Sequence, residues 1–229
     1  MAEYGDGTLE PPPYATIDTD RLHLRTLLVS DAEAIMSILS SEGVMKWTSS
    51  GRPLTTADQA KRWLKDRALG QDVFNFAVYL RPEPSTTQEL NEPQHLIGIA
   101  GSFHWPSVGY LVHPDYAGKG YATEALQALT PRLFERMPPA SKGGVGCDYI
   151  EASTDSENWA SRRVLDKCGF TYCETRLKDF ENPALGLRDT SVFRIPRPGK
   201  TLEELRPLMP KKPGVASGAI DEGFVPPIQ

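Results

Sequence analysis

Two glycines separated by one residue, Gly118 and Gly120, mark the segment of this chain best suited to chemistry. The run Gly109-Tyr-Leu-Val-His-Pro-Asp-Tyr-Ala-Gly118-Lys-Gly120-Tyr-Ala122-Thr-Glu-Ala-Leu reads as a strand, a short loop and the opening of a long helix. Glycine has no Cβ, so the backbone there can turn sharply and approach a ligand closely. The N–H groups from Gly118 to Ala122 would gather at the positive end of the helix dipole. That combination suits a phosphate or pyrophosphate. Lys119 could add charge from outside. Two familiar nucleotide motifs do not match. A Walker loop needs Ser or Thr directly after Gly-Lys, and Gly120 stands there. A dinucleotide fingerprint needs a third Gly or Ala, and Thr123 stands there.

A second block runs from Ile150 and Glu151 through Asp155, Asn158, Ser161 and Leu165 to Lys167-Cys168-Gly169-Phe170. It reads as a strand followed by a helix. Asn158, Ser161, Leu165 and Cys168 share one helical face by spacing, and that face could look into a cleft. Strand alternation puts Glu151 and Asp155 on one side, facing either that cleft or solvent. His104 precedes the turn Trp105-Pro106-Ser107 and offers an imidazole near it. Trp47, Phe103 and Trp105 belong to the core or to the mouth of a cleft. The four histidines and the three cysteines, Cys147, Cys168 and Cys173, have no metal-ligand spacing. No metal is expected, and the cysteines read as reduced thiols.

The glycine loop resembles the acyl-CoA pyrophosphate loop of the GNAT N-acetyltransferases, Gln/Arg-x-x-Gly-x-Gly/Ala. Here it stands as Ala117-Gly118-Lys119-Gly120-Tyr121-Ala122. Ala117 replaces the usual long polar side chain, so weaker but retained binding is expected. The second block looks most like the branch of ribosomal-protein N-terminal acetyltransferases (RimJ/RimL-like), where Asn-x-x-Ser and Lys-x-Gly-Phe recur. Thr19-Asp20-Arg21-Leu22-x-Leu24-Arg25, followed by Asp31-Ala32, is similar to that branch too. The likeness covers about residues 17–195.

The resemblance implies transfer of an acetyl group from acetyl-CoA to a primary amine, on a protein N-terminus or a small molecule, by direct attack. It implies that the fourth and fifth strands splay around the pantetheine arm. Backbone groups of Leu111, Val112 and His113 would hold that arm, and Ala117 to Ala122 the pyrophosphate. Asn158 and Ser161 would contact the pantetheine or acetyl region. Many members place an acidic tyrosine where Leu165 stands, and the branch offers Ser161 instead. A glutamate common before the Gly-Tyr of the fourth strand is replaced near Ser107. His104 could substitute, and Glu151 is the other candidate base. A catalytically silent acyl-CoA-binding regulatory module is the alternative reading.

The elements that must position these residues are set by periodicity. Strands are predicted near 21–27, over Phe74–Leu80, Leu96–Phe103, Val108–His113, Tyr149–Thr154, Phe170–Thr175 and Thr190–Ile195. A helix comes after a Ser30-x-x-Glu33 capping box. Another is capped by Thr56. Others span about Tyr121–Arg136 and Glu157–Cys168, the last closed by Gly169. Three consecutive strands in the middle argue against a fully parallel sheet. The expected fold is mixed α/β, a mostly antiparallel sheet of about seven strands, with splayed central strands and helices on both faces. Residues 1–16 and the proline-rich 197–229 read as disordered ends, the latter a candidate docking segment for a protein partner. The loop 81–95 is polar.

The chain has 229 residues and 39% hydrophobic content, enough for one core without staples. No window is apolar for about 18 residues, so no membrane span is expected. The N-terminus lacks a secretory pattern. A net charge of −5 disfavours general nucleic-acid binding. These features point to the cytoplasm, with the nucleus also open. Monomer and homodimer both remain open.

Overall fold

The computed structural model describes residues 10–70, 72–81, 95–143 and 146–205. Eight strands form one sheet: β1 (Thr16–Asp18), β2 (Leu22–Thr26), β3 (Phe74–Leu80), β4 (Leu96–His104), β5 (Ser107–Val112), β6 (Tyr149–Asp155), β7 (Thr171–Asn182) and β8 (Gly186–Pro196). Their order is β1-β2-β3-β4-β5-β6-β8-β7. Every pairing is antiparallel except β5 with β6. The helices are α1 (Met36–Leu39), α2 (Glu42–Met45), α3 (Ala57–Ala68), α4 (Tyr121–Arg136), α5 (Trp159–Lys167) and α6 (Leu202–Leu205). None of the described helices is long and apolar enough to cross a membrane.

Period-two alternation sorts the sheet residues between two cores. Phe76 and Val78 of β3 join Leu22, Leu24, Leu126 and Leu129 on the α4–α5 face. Ala77 and Tyr79, one residue out of step, join Ile35, Ile38 and Leu64 on the α1–α3 face. Helices therefore cover both faces, as expected. The mixed, mostly antiparallel sheet is also as expected, with one strand more than the seven read from the sequence. The added strand is β1, three residues that bond to β2 through Thr16↔Arg25 and its neighbours. Within the segment set apart as 1–16, Ala15 N–H donates to Thr26 Oγ1 at 2.8 Å. Residues 1–9, 82–94 and 206–229 lie outside the described residues, and with them most of both ends and of loop 81–95. Residues 197–205, read as the start of the tail, are instead ordered, with α6 and a buried Leu205.

The Ser30-x-x-Glu33 box does not form. Asp31 takes the capping role, accepting from Leu28 N–H at 2.9 Å. Its carboxylate is also gripped by both Nη atoms of Arg25, at 2.8 and 2.6 Å. A fork pair outcompetes a neutral serine cap. A 3-10 turn over Val29–Ala32 results, and the helical face breaks into the short α1 and α2. Thr56 does cap α3, with its Oγ1 accepting from Gln59 N–H at 3.2 Å. Helix α4 matches its predicted span, and Gly169 closes α5 with φ 81°.

The β7–β8 hairpin is long, and its tip is sewn to α2. Asn182 is buried at 3% exposure. Its Nδ2 donates to Lys46 O at 2.9 Å and Thr48 O at 3.2 Å. Its Oδ1 accepts from Ala184 and Leu185 N–H at 2.8 and 3.0 Å. Replacing Asn182 with Ala leaves Lys46 O and two amides short of partners, while Thr48 O keeps the Gly51 N–H at 3.0 Å. Asn182→Ala should cost about 2 kcal/mol of unfolding free energy, read by urea denaturation.

Candidate active site

Strands β5 and β6 touch at one register position, Ser107↔Glu151. Glu151 N–H donates to Pro106 O there at 2.9 Å. Beyond that point they part, and a cleft of about 530 Å³ opens between the β5 edge and α5. Its wall includes Tyr110–Val112 of β5, the loop 116–118, Gly120–Thr123 and the first turns of α5. Gly43, Val44 and Trp47 close it from the α2 side.

The β5 edge is unevenly committed. His113 N–H donates to Ile97 O of β4 at 2.8 Å. Antiparallel ladders alternate, and the register pairs Ile99 with Leu111 and Gly98 with Val112. The backbone groups of Leu111 and His113 thus face β4. Those of Tyr110 and Val112 face the gap. Of the three residues expected to offer backbone groups to a ligand, only Val112 does so by this geometry. His113 instead uses its Nδ1 to accept from Asp115 N–H at 3.2 Å.

The glycine loop has the conformation its sequence demands. Gly118 has φ 75° and Gly120, the N-cap of α4, has φ 87°. Both angles are costly for residues with a Cβ. No amide from Gly118 to Thr123 has an acceptor among the described residues. These free donors lie at the N-terminus of a 16-residue helix, where its dipole is positive. Ala117, Gly118, Gly120, Tyr121 and Ala122 all line the cleft. Lys119 does not; its Nζ lies 5.4 Å from the Tyr116 ring.

Helix α5 forms the opposite wall. Asn158 is its N-cap, with Oδ1 accepting from Ser161 N–H at 3.1 Å. The Asn158 Nδ2 has no acceptor among the described residues, and Asn158 lines the cleft. Ser161 also lines it, and its Oγ lies 2.8 Å from Tyr110 Oη. Tyr110 Oη additionally donates to Ser161 O at 3.0 Å. Burial pushes the Tyr110 phenol far above its ordinary range, against the opposing pull of its Ser161 bond. It stays a neutral donor at any physiological pH. Leu165, one turn on, is core at 1% exposure, while Cys168 caps the helix and burial pushes its thiol up to about 12.

The structure does not bring His104 or Glu151 to this cleft. Glu151 Oε2 is held by Arg194 Nε at 2.8 Å and Nη2 at 2.7 Å. Arg194 is 6% exposed, so this pair is a buried structural contact. Asp155 is similarly bound by Arg188 at 2.7 Å. The His104 ring packs edge-on against Phe103, 4.7 Å away. Phe103 and Trp105 are core residues, while Trp47 lines the cleft. Tyr110, Thr123, Arg163 and Lys167 also line it, and sequence reasoning missed them as site residues. Tyr110 had a signal, since it precedes Leu111 on the same strand. Arg163 and Lys167 are four apart on the helix, which puts them on one face.

The family described as "Acetyltransferase (GNAT) domain" matches residues 21–171. The chain belongs to the GNAT acetyltransferases. A curated relative, FsC-acetyl coenzyme A-N(2)-transacetylase of Aspergillus fumigatus, is 28% identical over 181 residues, spanning 77% of this chain and 74% of that protein. A structure described as a ribosomal-protein-serine acetyltransferase of Vibrio cholerae shares the fold at TM-score 0.56 and 23% identity, over 82% of this chain and 99% of the other. RimL, a ribosomal L7/L12 alpha-N-protein acetyltransferase solved with coenzyme A, does so at TM-score 0.62 and 15% identity, over 81% and 100%. These last two carry names of the branch that the sequence blocks resemble.

In this GNAT chain Leu165, the position that the sequence resemblance sets against a tyrosine, is part of the core. A tyrosine hydroxyl reaches the same helix from β5 instead, through Tyr110. Removing that hydroxyl deletes its bonds to Ser161 without changing side-chain shape. Tyr110→Phe should therefore lower the unfolding free energy by roughly 1 kcal/mol in denaturant titrations.

Proposed function

We propose that this protein moves an acetyl group from acetyl-CoA to a primary amine. The observation that carries the reading is the unpaired β5 edge leading directly into the amide cradle at the α4 N-terminus. An extended pantetheine arm can lie along the gap and bond Val112 as a strand partner would. The pyrophosphate then falls among the free amides of Gly118 to Thr123. Arg163 and Lys167 add positive charge on the α5 side. The unpaired Nδ2 of Asn158 donates to an amide or acetyl oxygen of the cofactor.

The amine nitrogen attacks the thioester carbonyl carbon. A C–N bond forms, the C–S bond breaks, and the thiolate leaves. Ser161 Oγ–H donates a hydrogen bond to the departing sulfur, and Tyr110 O–H holds the Ser161 main-chain carbonyl in place. The proton that nitrogen loses is the one that sulfur gains. Among the described residues no carboxylate or imidazole lines the cleft. The acceptor enters as the neutral amine, its ammonium proton having passed to water. Its own basicity sets the pH dependence.

Titration of the purified protein with acetyl-CoA in a calorimeter tests the cofactor, and CoA release with a panel of amines tests the transfer. Binding without release above buffer hydrolysis would leave a silent acyl-CoA-binding module. Gly118→Asp and Gly118→Asn probe the cradle, because both side chains tolerate a positive φ. A Cβ at Gly118 meets no atom within 4 Å. Asp adds a negative charge where phosphate binds, and Asn does not. Gly118→Asp should lose roughly 100-fold more affinity for acetyl-CoA than Gly118→Asn, with equal melting temperatures.

The pH profile supplies a second check. Below the acceptor's pKa, kcat/KM should rise tenfold per pH unit and then level. The break should sit near about 8 for an α-amino acceptor and near about 10 for a lysine-type amine, in line with model amine values. A break that stays put when the acceptor changes would assign it to a protein group.

A further inference from the structure

Arg21 stands outside the cleft lining, yet it holds the loop on which the proposed cofactor reading rests. Its Nη1 donates to Lys119 O at 3.1 Å. Its Nε and Nη2 grip Glu124 Oε2 at 2.7 and 2.6 Å. Its guanidinium carbon lies 4.6 Å from the centre of the Tyr121 ring. Glu124, in the first turn of α4, is in turn held by Thr19 Oγ1 at 2.6 Å and Arg21 N–H at 3.0 Å. Burial of the Glu124 carboxyl is outweighed by these bonds, which keep its pKa below the ordinary carboxylate value. The carboxylate is therefore ionised and fully engaged on the β2 side.

These contacts act on the peptide between Lys119 and Gly120. A trans peptide is planar, with its C=O and N–H pointing in opposite directions. Arg21 holds the carbonyl, so the Gly120 N–H points away from Arg21. That N–H has no acceptor among the described residues, and Gly120 lines the cleft. Glycine stands on either side of Lys119, at Gly118 and Gly120. A peptide beside glycine flips easily, because glycine populates both signs of φ. A flip would aim the Lys119 carbonyl dipole at the anion and withdraw one donor.

We propose that Arg21 is a positioning residue that latches the Lys119–Gly120 peptide with its N–H toward the pyrophosphate. Glu124 and Thr19 fix the latch, and the Tyr121 ring supports its flat face. Lysine cannot reproduce the arrangement, because one ammonium lacks the planar fork that spans a carboxylate and a carbonyl together.

The test compares two probes on the wild-type protein, Arg21→Lys and Arg21→Ala. Acetyl-CoA carries the pyrophosphate; S-acetyl-pantetheine has the same thioester arm without it. Affinity for acetyl-CoA is read by calorimetry, and for S-acetyl-pantetheine by titration of amide resonances of the labelled protein. Both variants should bind acetyl-CoA roughly 10-fold or more weakly, with S-acetyl-pantetheine unchanged within about twofold. The Gly120 amide resonance should shift on acetyl-CoA binding in the wild type and lose that shift in the variants. Undiminished acetyl-CoA affinity in the variants overturns the latch alone. An equal loss for both probes, or loss of the fold, makes Arg21 a general stability residue and also overturns it. A wild-type protein that binds no acetyl-CoA overturns the cofactor reading, and the latch with it.

Discussion

A sheet that stops being a sheet halfway along two neighbouring strands is the constraint on which this structure turns. Backbone N–H and C=O groups need partners, and an interior strand normally finds them on both sides. Here β5 pairs with β4 along its length apart from one register shift, but joins β6 at Ser107↔Glu151 only. The bulge between Gly101 and His104 bends the β4–β5 pair just before that junction. Past the junction β5 becomes an interior edge, walled by helices and open to a ligand. The same edge points at the N-terminus of α4, because only a short loop separates Val112 from Tyr121. Strand edge and amide cradle are consecutive parts of one chain segment, so a ligand long enough to use both is read by a single stretch of backbone.

The walls of the opening are set by contacts remote from it in sequence. Asn182 ties the β7–β8 tip to the segment carrying Trp47. Arg197 ties the end of β8 to the end of α4, donating to Phe134 O at 2.6 Å and Met137 O at 2.8 Å. Both use charged or amide donors on main-chain carbonyls that have no helical partner of their own. Such bonds contribute about 1 to 3 kcal/mol each. Exposed ion pairs such as Arg132 with Glu135 contribute less than about 1 kcal/mol. The rigidity of the cleft therefore comes from a few buried caps and from the two cores, not from surface charge.

The parts of this design that are legible in the sequence are those with local signals. The Gly118–Gly120 turn, the span of α4, the Thr56 cap and the Gly169 stop each arise from residue types at fixed offsets. The splay is legible through resemblance, on the glycine loop and the Asn158–Ser161 block. Alternation alone makes the β7–β8 hairpin too short. Its outer half is a mostly exposed edge, rich in Lys, Arg, Asp and Glu and broken by bulges, so the pattern is blurred. Short β1 carries too little pattern to register. The base candidates mislead for a different reason. Strand alternation gives Glu151 and Asp155 the same side, but only the tertiary fold supplies Arg194 and Arg188 to occupy them. Arg21 sits in a block of family likeness yet has no legible role, since its partners Lys119 and Glu124 lie about a hundred residues away.

Charge is where whole-chain arithmetic and the site diverge. A chain of net charge −5 repels an anion at long range. At physiological salt, however, exposed charges are screened beyond a Debye length of about 8 Å. Within the cleft the charged side chains of the described lining are Arg163 and Lys167, both positive, and the glycine loop presents amide donors. The nearest acidic group on that helix turn, Glu124, is neutralised by Arg21 on the far side of the loop. The local field therefore favours a phosphate-bearing ligand even though the protein as a whole is acidic. The same positive charge lowers the basicity of any carboxylate brought beside it, because it favours the ionised form. Attraction for an anionic ligand and poor support for a carboxylate base thus share one origin, the arrangement of charge around the cleft.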